Sequence, residues 1–179
     1  MITLEFRADE YIFAEEGKAD LLAANAAVLQ VTSFLVPVRL NVNGVELLEL
    51  PPRQGGVIWA SRPGQVGLEP MPADSAASPW LELPLLEAAT SGLDKVRQAA
   101  GAGSSVYYLG ETGGSLSFEV SGGDVMIRCN LNGRTGHVDY NELLRAWERF
   151  AHHVRVALTQ QWPELKRHAV WGGWFAEAH

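Results

Sequence analysis

The sequence predicts an α+β fold, with antiparallel sheets built from hairpins and a meander and two main helices, about 83–100 and 140–161, packed on one face. Three observations carry this expectation. Asn43-Gly44 separates two apolar runs, glycine-rich turns punctuate three short strand-like segments after residue 104, and apolar residues recur at helical spacing from Leu143 to Leu158. With 179 residues, 47% of them hydrophobic and 20% charged, the chain falls in the globular range. A chain of this length buries roughly 70% of its unfolded surface, so a single domain over 1–179 needs no disulfide or metal staple.

Taken in order, Ile2 to Arg7 alternates apolar and polar residues as a half-buried strand does, and Tyr11-Ile12-Phe13 continues or pairs with it. Asp20 is placed to cap a short helix through Leu21 to Val28, a stretch of good helix formers. The runs 34–42 and 45–50 flank Asn43-Gly44, a pair suited to the two positive-φ positions of a tight hairpin. Pro37 has no N–H for a ladder, which pushes the first of these strands toward a sheet edge or a bulge.

Residues 51–80 hold six of the nine prolines and read as a long irregular connection, with one short strand at 56–60 and a subdomain break as an alternative. A helix is expected from Leu83 to Ala100, weakened by Gly92 and stopped by Gly101 and Gly103. Strands follow at 105–109, 115–120 and 124–130, with a further short one at 134–138. Asp139 with Glu142 three residues later opens the last helix, Tyr140 to Gln161, and Pro163 ends it.

Composition also bounds function. The formal charge of −7 weighs against nucleic acid or an anionic membrane as partner. The acidic start is the reverse of a signal peptide, and the longest apolar run is too interrupted to span a bilayer, so a cytoplasmic protein is expected. The first 50 residues carry eight acids and three bases, while the rest is nearly balanced. Glu5, Asp9, Glu10, Glu15, Glu16 and Asp20 are therefore candidate contacts for a basic protein partner, against the plainer reading of a solubilising face.

No catalytic or cofactor signature emerges. Cys129 shares a strand face with Val125 and Ile127, which fits a small buried hydrophobe better than a nucleophile working with His137 and Asp139. His152 and His153 are adjacent on a helix and point about 100° apart, so they do not chelate one ion together. No metal and no cofactor are expected. The glycines at 110–114 and 133–136 lie between strands, where hairpin turns explain them, and not ahead of a helix where a phosphate would sit.

The C-terminal aromatics stand out. Trp171 and Trp174 are separated by two glycines, so both indoles could fold onto one surface, either as a cap on the core or as a partner-binding patch. Trp59 and Trp80 are candidates for a pocket shared with that tail.

The meander ending in Asp124-Val125-Met126-Ile127-Arg128-Cys129, running into Tyr140 to Phe150 and Val154-Arg155, is similar in outline to small cytoplasmic bacterial immunity proteins of polymorphic and contact-dependent toxin systems. The resemblance implies a partner-neutralising protein and no catalytic residues. The leading expectation is a non-enzymatic protein-binding domain, most sharply a toxin-immunity protein. The alternatives are an enzyme or ligand-binding domain with a site between residues 51–80 and the tail, and a structural subunit of a bacterial assembly.

Overall fold

The computed structural model describes residues 1–7, 25–31, 34–49, 57–60, 69–72 and 81–177. It has the expected α+β architecture. One sheet holds β1 (Ile2–Phe6), β2 (Leu35–Val42), β3 (Val45–Glu46) and β6 (Leu81–Pro84); a separate hairpin pairs β4 (Val57–Ala60) with β5 (Glu69–Pro72). The second main sheet is an antiparallel meander of β7 (Ser104–Tyr108), β8 (Ser115–Ser121), β9 (Asp124–Cys129) and β10 (Thr135–Asp139), in the order β10-β9-β8-β7. The helices are α1 (Ala26–Val31), α2 (Leu85–Ala102), α3 (Tyr140–Gln161) and α4 (Gly172–Ala176).

The predicted hairpin forms, with Asn43 and Gly44 at φ 52° and 88°. Its return arm is shorter than expected. The strand ends at Glu46 with one last bond from Leu47 N–H to the Leu40 carbonyl at 2.8 Å, and Leu47 and Leu48 are both buried in the core. Pro37 does not place β2 at an edge: β2 is flanked by β1 on one side and by β3 and β6 on the other. The Pro37 carbonyl accepts Arg7 N–H at 3.0 Å. Its ring nitrogen faces the same side, so the missing donor falls where the β1 ladder ends. Within 56–60 the expected strand is β4. Its partner β5 contains Pro70 and Pro72, tolerable in a two-stranded ribbon where both strands are edges.

The second helix begins at Leu85, two residues later than the sequence predicted, because 81–84 pair with β2 from Val38 to Leu35. Gly101 lies inside it, and Gly103 alone ends it at φ 79°. Asn25 caps the described start of α1 by accepting Ala27 N–H at 2.9 Å; the proposed Asp20 cap and the strand at Tyr11–Phe13 lie outside the described residues. The third helix has its predicted bounds, with the Asp139 carboxylate accepting Glu142 N–H at 3.0 Å. Pro163 then opens a 3₁₀ turn, Pro163–Arg167.

The helices α2 and α3 pack on each other and on the sheets, α2 over β7 and β8, α3 over β1 and β10. Their contact is organised by Trp147 of α3. Its indole Nε1–H donates to the Ala88 carbonyl of α2 at 2.9 Å, and the ring meets Tyr107 and Phe118 edge-on at 6.3 and 5.7 Å. Gly92, expected to weaken α2, lies under that indole, where an added Cβ would stand 2.6 Å from the ring. In an exposed helix Gly→Ala gains about 1 kcal/mol. Here Gly92→Ala is expected to cost about 1–3 kcal/mol through overpacking. Urea unfolding of this variant checks the sign, and a stabilised protein would contradict the packing described.

Candidate protein interface

The surface with the most definite chemistry among the described residues is the outer edge of β7. The chain leaves α2 through the left-handed Gly103 and returns along the sheet as Ser104-Ser105-Val106-Tyr107-Tyr108. Alternate residues point inward and outward. Inward, Ser105 Oγ–H donates to the Lys95 carbonyl at 2.5 Å, and Tyr107 is buried against Trp147. Outward, Val106 is 39% and Tyr108 70% exposed.

Backbone parity follows the same alternation. Leu109 N–H donates to the Gly114 carbonyl and Val120 N–H to the Gly103 carbonyl, so the odd positions of β7 carry the ladder to β8. The N–H and C=O groups of Ser104, Val106 and Tyr108 therefore project away from β8. The opposite end of this sheet is treated differently. The odd positions of β10 face outward, and the Asn43 side chain donates to the His137 carbonyl at 2.7 Å. Nearby, Asn132 donates to the Leu47 and Glu49 carbonyls, Arg134 donates to the Glu46 carbonyl and pairs with Glu49, and Gly136 lies against Val42. The first sheet thus covers the β10 edge. Among the described residues no hydrogen bond covers the β7 edge, and β7 contains no charge and no proline, two of the usual devices that block strand addition.

Two polar groups lie beneath this strand without a hydrogen-bond partner, the Tyr107 hydroxyl and Glu87 Oε2 of α2. Burial pushes the Tyr107 phenol far above its ordinary range, and the neighbouring Glu87 charge pushes it the same way. Loss of hydration raises the Glu87 carboxyl above its ordinary 4.5.

The residues singled out from sequence are dispersed. Glu5 lies on β1 and pairs with Arg39 at 3.5 Å, while Arg39 also holds Glu46 at 2.5 Å, so this acid is matched within the chain. Asp9, Glu10, Glu15, Glu16, Asp20 and Trp80 lie outside the described residues, and of Trp59 only the backbone position opposite Pro70 is described. Trp171 and Trp174 are half-buried against the core. The Trp171 indole donates to the Ala26 carbonyl at 3.0 Å, and the Arg155 guanidinium lies 4.6 Å over the Trp174 ring. Buried His168 accepts the N–H groups of Val170 and Trp171 at Nδ1, which bends the tail back.

Cys129 is fully buried, and loss of hydration holds its thiol above the ordinary range. His137 pairs with Met126 and so belongs to the other face of the meander, while Asp139 is occupied as a helix cap. The imagined triad is therefore split. His152 and His153, rings 6.1 Å apart, are exposed beside Arg145, Glu148 and Arg149 along a shallow groove of about 370 Å³. No group of three or more metal-ligating side chains occurs among the described residues, and no described helix is long and apolar enough to cross a membrane. Sequence reading found β7 as a strand but missed it as an edge. The signal was present: the first strand of a meander ends its sheet unless another segment returns to it.

Compared with protein-family models, curated proteins and solved structures, the chain matches none of them.

The Glu87 carboxyl gives a pH test of the packing under β7. Because its folded pKa is raised, the folded state holds this proton more tightly than the unfolded chain. Its contribution to stability is full below the ordinary value of 4.5 and is lost as pH rises through the folded value. Glu87→Gln should therefore gain stability relative to the parent as pH rises from about 4 to about 7. Urea midpoints across that range measure it, and a difference that shrinks with pH would contradict the assigned burial.

Proposed function

We propose that this chain is a non-enzymatic protein-binding domain that takes an extended segment of another chain along β7. The observation that carries the reading is the uncovered, uncharged edge with its outward backbone at Ser104, Val106 and Tyr108. Strand addition uses such a frame: main-chain hydrogen bonds supply affinity, and alternate side chains supply specificity. Val106 and Tyr108 supply an aliphatic and an aromatic contact on the outer face. A cytoplasmic toxin-immunity protein is the sharpest form of this proposal. In that form the acids between Asp9 and Asp20 steer a basic partner toward the domain.

The test is affinity capture from host lysate with the parent chain, Val106→Pro and Val106→Lys. The Val106 N–H takes no part in the ladder to β8, so proline removes an outward donor and leaves that ladder in place. Strand addition predicts a partner lost at least tenfold with either variant and largely retained at about 1 M salt, where screening acts within ~3 Å. Bound partner should also protect the amides of Val106 and Tyr108 from hydrogen exchange. A partner captured equally by all three chains and released by salt would overturn the edge reading and point to the acidic segment.

A further inference from the structure

We infer that before any partner arrives a second copy of this chain occupies the β7 edge, pairing antiparallel with its own β7 about a two-fold axis at Val106. This inference rests on the proposal that β7 accepts a strand, and it names the first strand to do so.

The backbone frame is self-complementary. With Val106 opposite the second copy's Val106, both exchange N–H and C=O, and Ser104 of each copy exchanges with Tyr108 of the other. Each of the three outward residues then has both backbone groups satisfied. The side chains agree with this register. Two half-exposed valines meet at the axis, each exposed Tyr108 covers a serine, and no charge on either strand faces a like charge. A one-residue slip along the strand would set outward backbone groups against the positions already bonded to β8, so the parity of the ladder forbids it.

The contact is isologous, using the same patch on both copies, and closes as a dimer without leaving a β7 edge to propagate. Two meanders of four strands become one continuous sheet of eight. A five-residue strand gives an interface smaller than the ~800 Å² per partner of a standard complex. Self-association is therefore reversible, and a partner segment with better side-chain contacts displaces the second copy. The dimer keeps the edge covered until then.

The experiment combines mass measurement and cross-linking. Light scattering behind size exclusion, over roughly two decades of micromolar concentration, should show the parent moving from monomer to dimer and Val106→Pro remaining monomeric. Register is read by disulfide formation, because the chain has one cysteine, the buried Cys129. In Val106→Cys the two Cα atoms lie about 5.5 Å apart across the axis, within disulfide reach. In Ser104→Cys they lie at least about 13 Å apart, beyond it. Val106→Cys should therefore cross-link under mild oxidation and Ser104→Cys should not. Circular dichroism confirms that each variant is folded, and cross-linking of the parent's own β7, replaced at Val106 alone, keeps the test independent of proline.

A parent that stays monomeric throughout, without cross-linking of Val106→Cys, overturns the self-pairing. If that monomer still captures a partner in a Val106-dependent way, the protein-binding proposal stands while this inference fails. A dimer that persists in Val106→Pro overturns the β7 surface, and one that cross-links through Ser104→Cys instead of Val106→Cys overturns the register.

Discussion

The position of Trp147 fixes most of what this molecule presents to its surroundings. Its indole N–H is held by the Ala88 carbonyl, its face lies over Gly92, and its edges meet Tyr107 and Phe118. A buried indole donor left without an acceptor would cost about 1–3 kcal/mol, so the ring has a single favourable seat. That seat joins α3 to α2 and both to the meander. It also sets the parity of β7: once Tyr107 is committed inward, Val106 and Tyr108 are committed outward.

The two ends of the meander then meet different fates for covalent reasons. β10 leads directly into α3, whose first turn is capped by Asp139, and α3 packs on β1. This brings the Asn43-Gly44 turn of the first sheet beside β10. Gly136 permits the approach, since a side chain there would collide with Val42. Asn43, Asn132 and Arg134 cross the gap to backbone carbonyls, so the polar groups at that seam are satisfied from side chains and not by a continuous ladder. β7 has no such neighbour among the described residues, because the chain arrives there from α2, which lies over the sheet's face and not along its edge.

How much of this was legible depended on whether the cause was local. Asp139 with Glu142, the apolar spacing of Leu143, Trp147, Phe150, Val154 and Leu158, and the glycine turns between strands are short-range signals; the helix they mark has the bounds expected of it, and the strands fall within one residue of theirs. Pro37 misled because a missing donor forbids one ladder bond and says nothing of which neighbour lies on the other side. Val45 to Leu50 alternates too weakly to reveal that Leu47 and Leu48 leave the strand for the core. The acidic count was legible but the ion-pair partner of Glu5 was not, since Arg39 is distant from it in sequence and near it only through the register of β1 and β2. The aromatic tail was legible as a bend and not as a contact: the partners of Trp171 and Trp174 are Ala26 and Arg155, which only tertiary structure supplies.

The outward side of the meander shows where composition was free to vary. Core packing dictates Tyr107, Leu116, Phe118, Val125, Ile127 and Cys129, all buried. It does not dictate their outward neighbours. On β8 those neighbours are Ser115, Ser117 and Glu119, the polar choices expected of a sheet face in water. On β7 the same parity carries Val106 and Tyr108, residues that favour a pleated, half-covered surface. A lysine at either position would have satisfied the fold equally well and protected the edge. Elsewhere on this face the apolar Met126 of β9 is half-buried between Glu119 and His137, whereas Val106 and Tyr108 are exposed on the strand whose backbone is still open among the described residues. That coincidence of apolar side chains with unpaired main chain is what another strand requires, and it ties the surface of the protein to the indole seated beneath it.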